Sequence, residues 1–281
     1  MSSATTAPVG HDLGRVAPRR RYLSIATTAL QQSIAYRTSI LLSVLLTFIW
    51  VVILYYLWRG AYSARGTIAG FDWDQMRTYI VLAFGLNALV GWRVGSQMMA
   101  TIRTGDVVLE FVRPLNYATT QLARAVGGGL VEGGAALLVS MGIGLAWIHI
   151  RPPASAAAGA WFALSVVLAF VTKVLIIFLV SLLTFWTTSG TGLMWSQQAV
   201  LQILSGTIVP LALMPDWLRV VAEIAPMRGI ASTPVLLWLG KASGWQAVQL
   251  VGLQVLWLAV LWVAANVLWR RAFNALEVQG G

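Results

Sequence analysis

Residues 38–58 read TSILLSVLLTFIWVVILYYLW, twenty-one consecutive residues without a charge. A run of that length matches the roughly 20 apolar residues a helix needs to cross a bilayer. It starts well after Arg19-Arg20-Arg21 and is too long for the core of a cleaved leader, so it reads as a retained span. The rest of the chain agrees. Of 281 residues, 58% are hydrophobic and 10% are charged, against about 25% charged in an ordinary soluble domain. So few charges do not cover a soluble surface, and the length accommodates roughly six spans with their connections. Further apolar runs lie at about 78–99, 123–147, 161–186, 193–213 and 245–269. The expected fold class is an all-α membrane protein with six transmembrane helices over 38–275.

The segments outside these runs have distinct characters. Residues 1–20 are rich in Ser, Ala, Thr and Pro and read as a disordered cytoplasmic arm. Over 21–37, Leu23, Ala26, Leu30 and Ile34 recur at helical spacing, which predicts an amphipathic helix lying in the headgroup plane. Residues 101–116 are polar, with a short amphipathic pattern from Asp106 that ends at Arg113-Pro114. Residues 214–244 are too apolar for a free loop, and Pro215, Pro226 and Pro234 interrupt any long helix. They predict a re-entrant external segment whose apolar residues Trp217, Leu218, Val220, Val221 and Ile224 are buried under neighbouring spans. Pro210, Pro215, Asp216, Trp217 and Pro226 are its expected gate residues, with Asp216 capping a short helix. Arginines flanking the first span favour a cytoplasmic N-terminus, and six spans then place both termini inside.

Several chemistries lack their residues. The chain has no cysteine, which excludes thiol nucleophiles and cysteine-ligated metals. It has no G-x-x-x-x-G-K-[ST] run, hence no P-loop for ATP. His11 and His149 fall on opposite sides of the membrane in this topology, so no metal site is expected. Asp72 and Asp74 read as a solvated outer loop rather than a catalytic pair, because no converging constellation accompanies them. No catalytic residue is assigned. Glu132 and Lys173 are ionisable residues inside two spans joined by a tight turn. They read as a buried structural pair, with a proton or substrate site as the alternative. Gly129 and Gly133 form a small-residue face suited to close helix packing.

Two stretches carry a family resemblance. The first is Ile102-x-x-Gly105 followed by Arg113-Pro114; the second is Gly206-x-x-x-Pro210-x-x-x-Met214-Pro215-x-Trp217-Leu218 with Pro226, Pro234 and Gly240 beyond. In order and spacing they resemble type-2 ATP-binding-cassette (ABC) exporter permeases, and more narrowly a bacterial subfamily often encoded as paired permeases beside one separate ATPase. The resemblance covers about residues 20–275. It implies a membrane subunit that pairs with a second permease, identical or related, and docks two copies of a soluble ATPase. Arg103, Gly105, Asp106, Leu109, Glu110, Arg113 and Pro114 of the 101–116 loop would form the docking site. The chain itself would bind no cofactor, since ATP and Mg would sit in the partner ATPase. In similar permeases the second and fifth spans face the substrate path, which here implies Asn87, Gln97, Trp195, Gln198 and Gln202.

The sequence thus predicts a multi-pass exporter subunit of the bacterial inner membrane, without nucleic-acid binding, moving an amphiphilic cargo by alternating access. The alternatives are a membrane-embedded lipid-processing enzyme and a secondary transporter using Glu132 and Lys173. The first lacks convergent acid and base groups, and the second lacks an internal repeat.

Overall fold

The computed structural model of the protein describes residues 18–35, 37–64, 66–107, 116–187 and 190–279. It is a helical bundle: α1 (Pro18–Ala35), α2 (Arg37–Tyr62), α3 (Trp73–Asn87), α4 (Trp92–Arg103), α5 (Tyr117–Ile143), α6 (Ala156–Leu182), α7 (Gly190–Leu204), α8 (Asp216–Ile224), α9 (Ser232–Trp238) and α10 (Trp245–Gln279). A two-residue antiparallel hairpin, β1 (Thr67–Ile68) and β2 (Phe71–Asp72), links α2 to α3. Among the described residues, five segments are long and apolar enough to cross a membrane, and a sixth arises if the bent pair of helices at 216–238 counts as one span.

Burial sorts these segments into an inner and an outer set. In the most apolar 18-residue stretch of the second, Trp73–Arg103, 72% of the residues are buried within the chain, against 11% in that of the first, Ile40–Tyr62. Leu41, Leu45, Ile53 and Leu57 of α2 and Val255 and Val263 of α10 are apolar and exposed. Such surfaces require lipid or another subunit. At the centre, α3 packs on α5, α4 on α6, and α10 along α6. One core cluster joins Met76, Tyr79, Leu82 and Leu86 of α3 to Phe162 and Trp238; another joins Met98 of α4 to Val174, Phe178 and Leu261.

The end of the bundle farthest from the 101–116 loop is tied by polar contacts. Asp72 caps α3: its Oδ1 accepts from the Gln75 N–H at 2.7 Å, and Gln75 Oε1 accepts from the Asp72 N–H at 3.3 Å, a reciprocal capping box. Arg151, in the α5–α6 turn, contacts Asp72 and Asp74 at 3.2 Å each. The two carboxylates are therefore anchoring groups rather than a plain solvated loop, because Arg151 folds back onto the start of α3. Lys241 donates to Gly70 O at 2.6 Å and lies 4.3 Å from the Phe71 ring centroid. Its partial burial lowers its pKa below the ordinary lysine value, while Asp72 pulls in the opposite direction.

The helix anticipated over 21–37 is α1, Pro18–Ala35, and it packs on α5 with Ala29 against Gly127 and Ser33 against Gly128, while Leu23 is 64% exposed. Close approach is possible because Gly127 has no Cβ: one placed there would overlap the Ala26 carbonyl. The run at 193–213 is not one helix. α7 stops at Leu204 after 15 residues, about 22 Å of rise against a hydrocarbon core of about 30 Å. Gly206 then turns the chain at φ +78°, and its carbonyl accepts from Tyr79 Oη at 2.8 Å. The following segment folds into α8, a short 3-10 turn at Pro226–Gly229, and α9, with a 71° bend between the two parts. Ser232 N–H donates to Ser205 O, so the start of α9 returns to the end of α7. Finally, Trp217, Val220, Val221 and Ile224 of α8 are exposed rather than buried. They occupy one helical face, so α8 presents an apolar stripe outward. Asp216 is the first residue of α8, not its cap; Pro215 takes the cap position without a side-chain bond.

Candidate functional site

The second span breaks at Ala88-Leu89-Val90-Gly91, between α3 and α4. A break leaves carbonyls free at the end of one half and N–H groups free at the start of the other. The two buried ionisable residues meet these two ends. Lys173 of α6, 2% exposed, donates from Nζ to the Asn87 backbone O and to Asn87 Oδ1, the latter at 3.1 Å. Asn87 is the last residue of α3, where the helix dipole favours a cation. Glu132 of α5, 9% exposed, packs against Gly91, the N-cap of α4. A Cβ at residue 91 would lie 2.7 Å from the Glu132 Cδ and Oε1. A carboxylate suits that end, where no side chain caps the helix. Arg93, in the first turn of α4, is its electrostatic partner.

The expected Glu132–Lys173 pair is thus replaced by two separate engagements, one at each half-helix end. The spacing of α5 and α6 suggested a direct pair, but the break in α3–α4 lies against both helices and supplies each charge with its own polar neighbour. The same break explains the glycine face on α5. A Cβ at Gly133 would overlap the Leu89 backbone, and one at Gly129 would reach the Leu89 O at 3.2 Å and the Phe170 ring at 2.9 Å.

Two cavities flank the break. The first, of about 220 Å³, is lined by Asn87, Gly91 and Trp92 at the break, Lys173 on α6, Trp50 on α2, and Trp195, Gln198 and Gln202 on α7. It gathers four of the five residues assigned to the substrate path. Gln97 lies outside it, exposed on α4, and lines the second cavity. That cavity, of about 640 Å³, lies between α1, α4 and α5, with Arg93, Arg124, Glu132, Gln121 and Asp106 on its walls. Trp92 and Trp195 meet with ring centroids 5.0 Å apart across the mouth of the first cavity. Trp50 and Trp92 were not read from the sequence as members of this path, and Lys173 only as the alternative to a structural pair. The available signal was Asn87 and Gly91, helix-ending residues inside an apolar run.

α4 extends from this cavity to the loop at 104–107. Gly105 adopts φ +78°, a left-handed turn suited to glycine. Thr104 Oγ1 donates to Asp106 Oδ2 at 2.6 Å, and Val107 N–H donates to Thr101 O at 3.1 Å, which closes the turn. Arg103 and Asp106 are exposed, while Leu109, Glu110, Arg113 and Pro114 lie outside the described residues. Asn116, on the far side of the loop, caps α5 and reaches both Tyr22 of α1 and Asn266 of α10. Of the residues named for the outer gate, Pro210 is buried, Pro215, Asp216 and Trp217 are exposed, and Pro226 opens the 3-10 turn.

Residues 48–280 match the family described as ABC-2 family transporter protein. The chain belongs to the ABC-2 transporter family. As an ABC-2 permease it is a membrane transport subunit and not itself an ATPase. The match runs from within α2 to the end of α10 and so includes the break, most of the first cavity's lining and the 104–107 turn, while α1, one wall of the second cavity, precedes it. None of the curated proteins matches the chain.

Proposed function

We propose that this ABC-2 permease is the membrane half of an ATP-driven exporter of the bacterial inner membrane, and that it moves an amphiphilic cargo by alternating access. The observation that supports this reading most directly is the course of α4. One twelve-residue half-helix carries a wall of the first cavity at Trp92 and Gly95 and ends in the exposed turn at Thr104–Asp106. It is freed from α3 by the break at 88–91. A soluble ATPase docked on the 101–116 loop would push on the far end of α4, and the break would serve as its pivot. Two ATPase copies bind ATP and Mg, and a second permease, identical or related, completes the path. Both termini face the cytoplasm in this arrangement.

The aromatic and amide lining of the first cavity suits a cargo with both apolar and polar parts. The exposed apolar stripe of α8 and the bent segment after it lie at the outer end of this path, where they would move as the bundle opens outward.

The test is crosslinking from a photoreactive group on Asp106→Cys, in membranes that hold the permease with its ATPase bound. The ATPase is the expected product. Labelling of lipid or water alone in that complex would overturn the docking assignment.

A further inference from the structure

The first cavity, at about 220 Å³, is smaller than the roughly 300–1,000 Å³ of sites that enclose a drug-sized ligand. It therefore holds one end of a molecule, with the remainder passing out beside Trp195, which is 65% exposed. The chemistry of that end follows from Lys173. Its side chain is buried and lines the cavity. Among the described residues its hydrogen-bond acceptors are the two oxygens of Asn87, both neutral. An ammonium has three donors, so one N–H is left for a ligand. A desolvated cation held by neutral dipoles regains most when an anion arrives. Glu132, the nearby carboxylate of the opposite sign, packs at the other end of the break with Arg93 and lines the second cavity instead.

The walls set the rest of the ligand. Trp50, Trp92 and Trp195 present aromatic surface from α2, α4 and α7, which favours a flat apolar body beside the charge. Gln198 and Gln202 on α7 offer amide N–H donors to further acidic oxygens.

We propose that the first cavity binds the acidic end of an anionic aromatic amphiphile, a carboxylate or sulfonate seated between Lys173, Asn87 and the α7 glutamines. This rests on reading the cavity as part of the cargo path and adds the charge of the cargo. The partition of the two charges to opposite sides of the α3–α4 break makes the cavity selective for one sign.

The full chain in nanodiscs of zwitterionic lipid is titrated with anilinonaphthalene sulfonate and with neutral phenylnaphthylamine, which share a ring system and differ by the sulfonate. Empty nanodiscs supply the background. The sulfonate is expected to bind about tenfold tighter than the neutral probe, the worth of one charge-assisted hydrogen bond. Lys173→Met should erase that gap and leave the neutral probe within about twofold of wild type. Because Lys173 is buried and its replacement tests folding as well, a second variant acts at the exposed mouth. Trp195→Glu should lower the sulfonate-to-neutral affinity ratio by about fivefold relative to Trp195→Ala. Equal affinities in the wild-type chain, a gap that survives Lys173→Met, or an unchanged ratio in Trp195→Glu would each overturn the proposal. No ATPase is present in this assay, so these outcomes are independent of the docking test at Asp106.

Discussion

Two adjacent glycines on α5 should respond to the same substitution with opposite signs. Gly133 faces the break in the second span, and a Cβ there would overlap the C, O and Cα atoms of Leu89. Backbone atoms do not rotate aside, so Gly133→Ala must displace either α5 or the 88–91 segment. Overpacking of this kind costs about 1–3 kcal/mol, and the upper half of that range applies where the obstacle is main chain. Alanine recovers about 1 kcal/mol of helix propensity, which leaves a net destabilisation of about 1–2 kcal/mol. Gly134, one residue on, has nothing within 4 Å of its added Cβ. Gly134→Ala therefore keeps only the propensity term and should stabilise by about 0.5–1 kcal/mol. For a chain of this size the pair should be separated by several degrees in Tm, measured by thermal unfolding of the purified protein in one detergent. Because the 88–91 break is the proposed pivot of α4, Gly133→Ala should also lower ATP-driven transport more than Gly134→Ala does. A Gly133→Ala protein as stable as Gly134→Ala would refute the claim that α5 is seated directly on the break.

Two further outcomes follow from the fold. Gln254, 3% exposed, accepts from Ser165 Oγ at 2.9 Å and donates to Gly229 O at 2.8 Å. Gln254→Leu leaves both partners buried and unsatisfied, and should cost about 2–3 kcal/mol of stability by denaturant titration; a neutral change would mean that α6, α10 and the 226–229 turn are not joined through this side chain. Single cysteines through α8, treated from outside with a membrane-impermeant reagent, should label with helical periodicity. Positions 217, 220, 221 and 224 should be protected by lipid and position 219 reactive, whereas uniform labelling would show a solvated loop in place of an interfacial helix.

Much of the architecture was legible in the chain because a bilayer imposes a simple rule. Every lipid-exposed backbone group must be satisfied within its own helix, so uncharged runs such as 38–58 and 245–269 announce spans directly. The prolines at 215, 226 and 234 marked a segment that does not form one straight helix, and glycine at 105 marked a turn that does adopt φ +78°. The pattern of Ile102, Gly105, Arg113 and Pro114 with the later Gly206–Leu218 stretch pointed to the ABC-2 family, which the match over 48–280 bears out.

What the chain did not disclose are the places where a helix stops inside an apolar run. α7 ends at Leu204 because Gly206 turns and Tyr79, 127 positions away, holds its carbonyl. The second span breaks at 88–91 because Lys173 and Glu132, from two other helices, meet the half-helix ends at Asn87 and Gly91. Hydropathy averages over such breaks, since the residues around them remain apolar. Local sequence sets which segments enter the membrane; the partner that satisfies each freed backbone group comes from a distant helix, so only the tertiary structure decides where those segments are interrupted and which charges face which cavity.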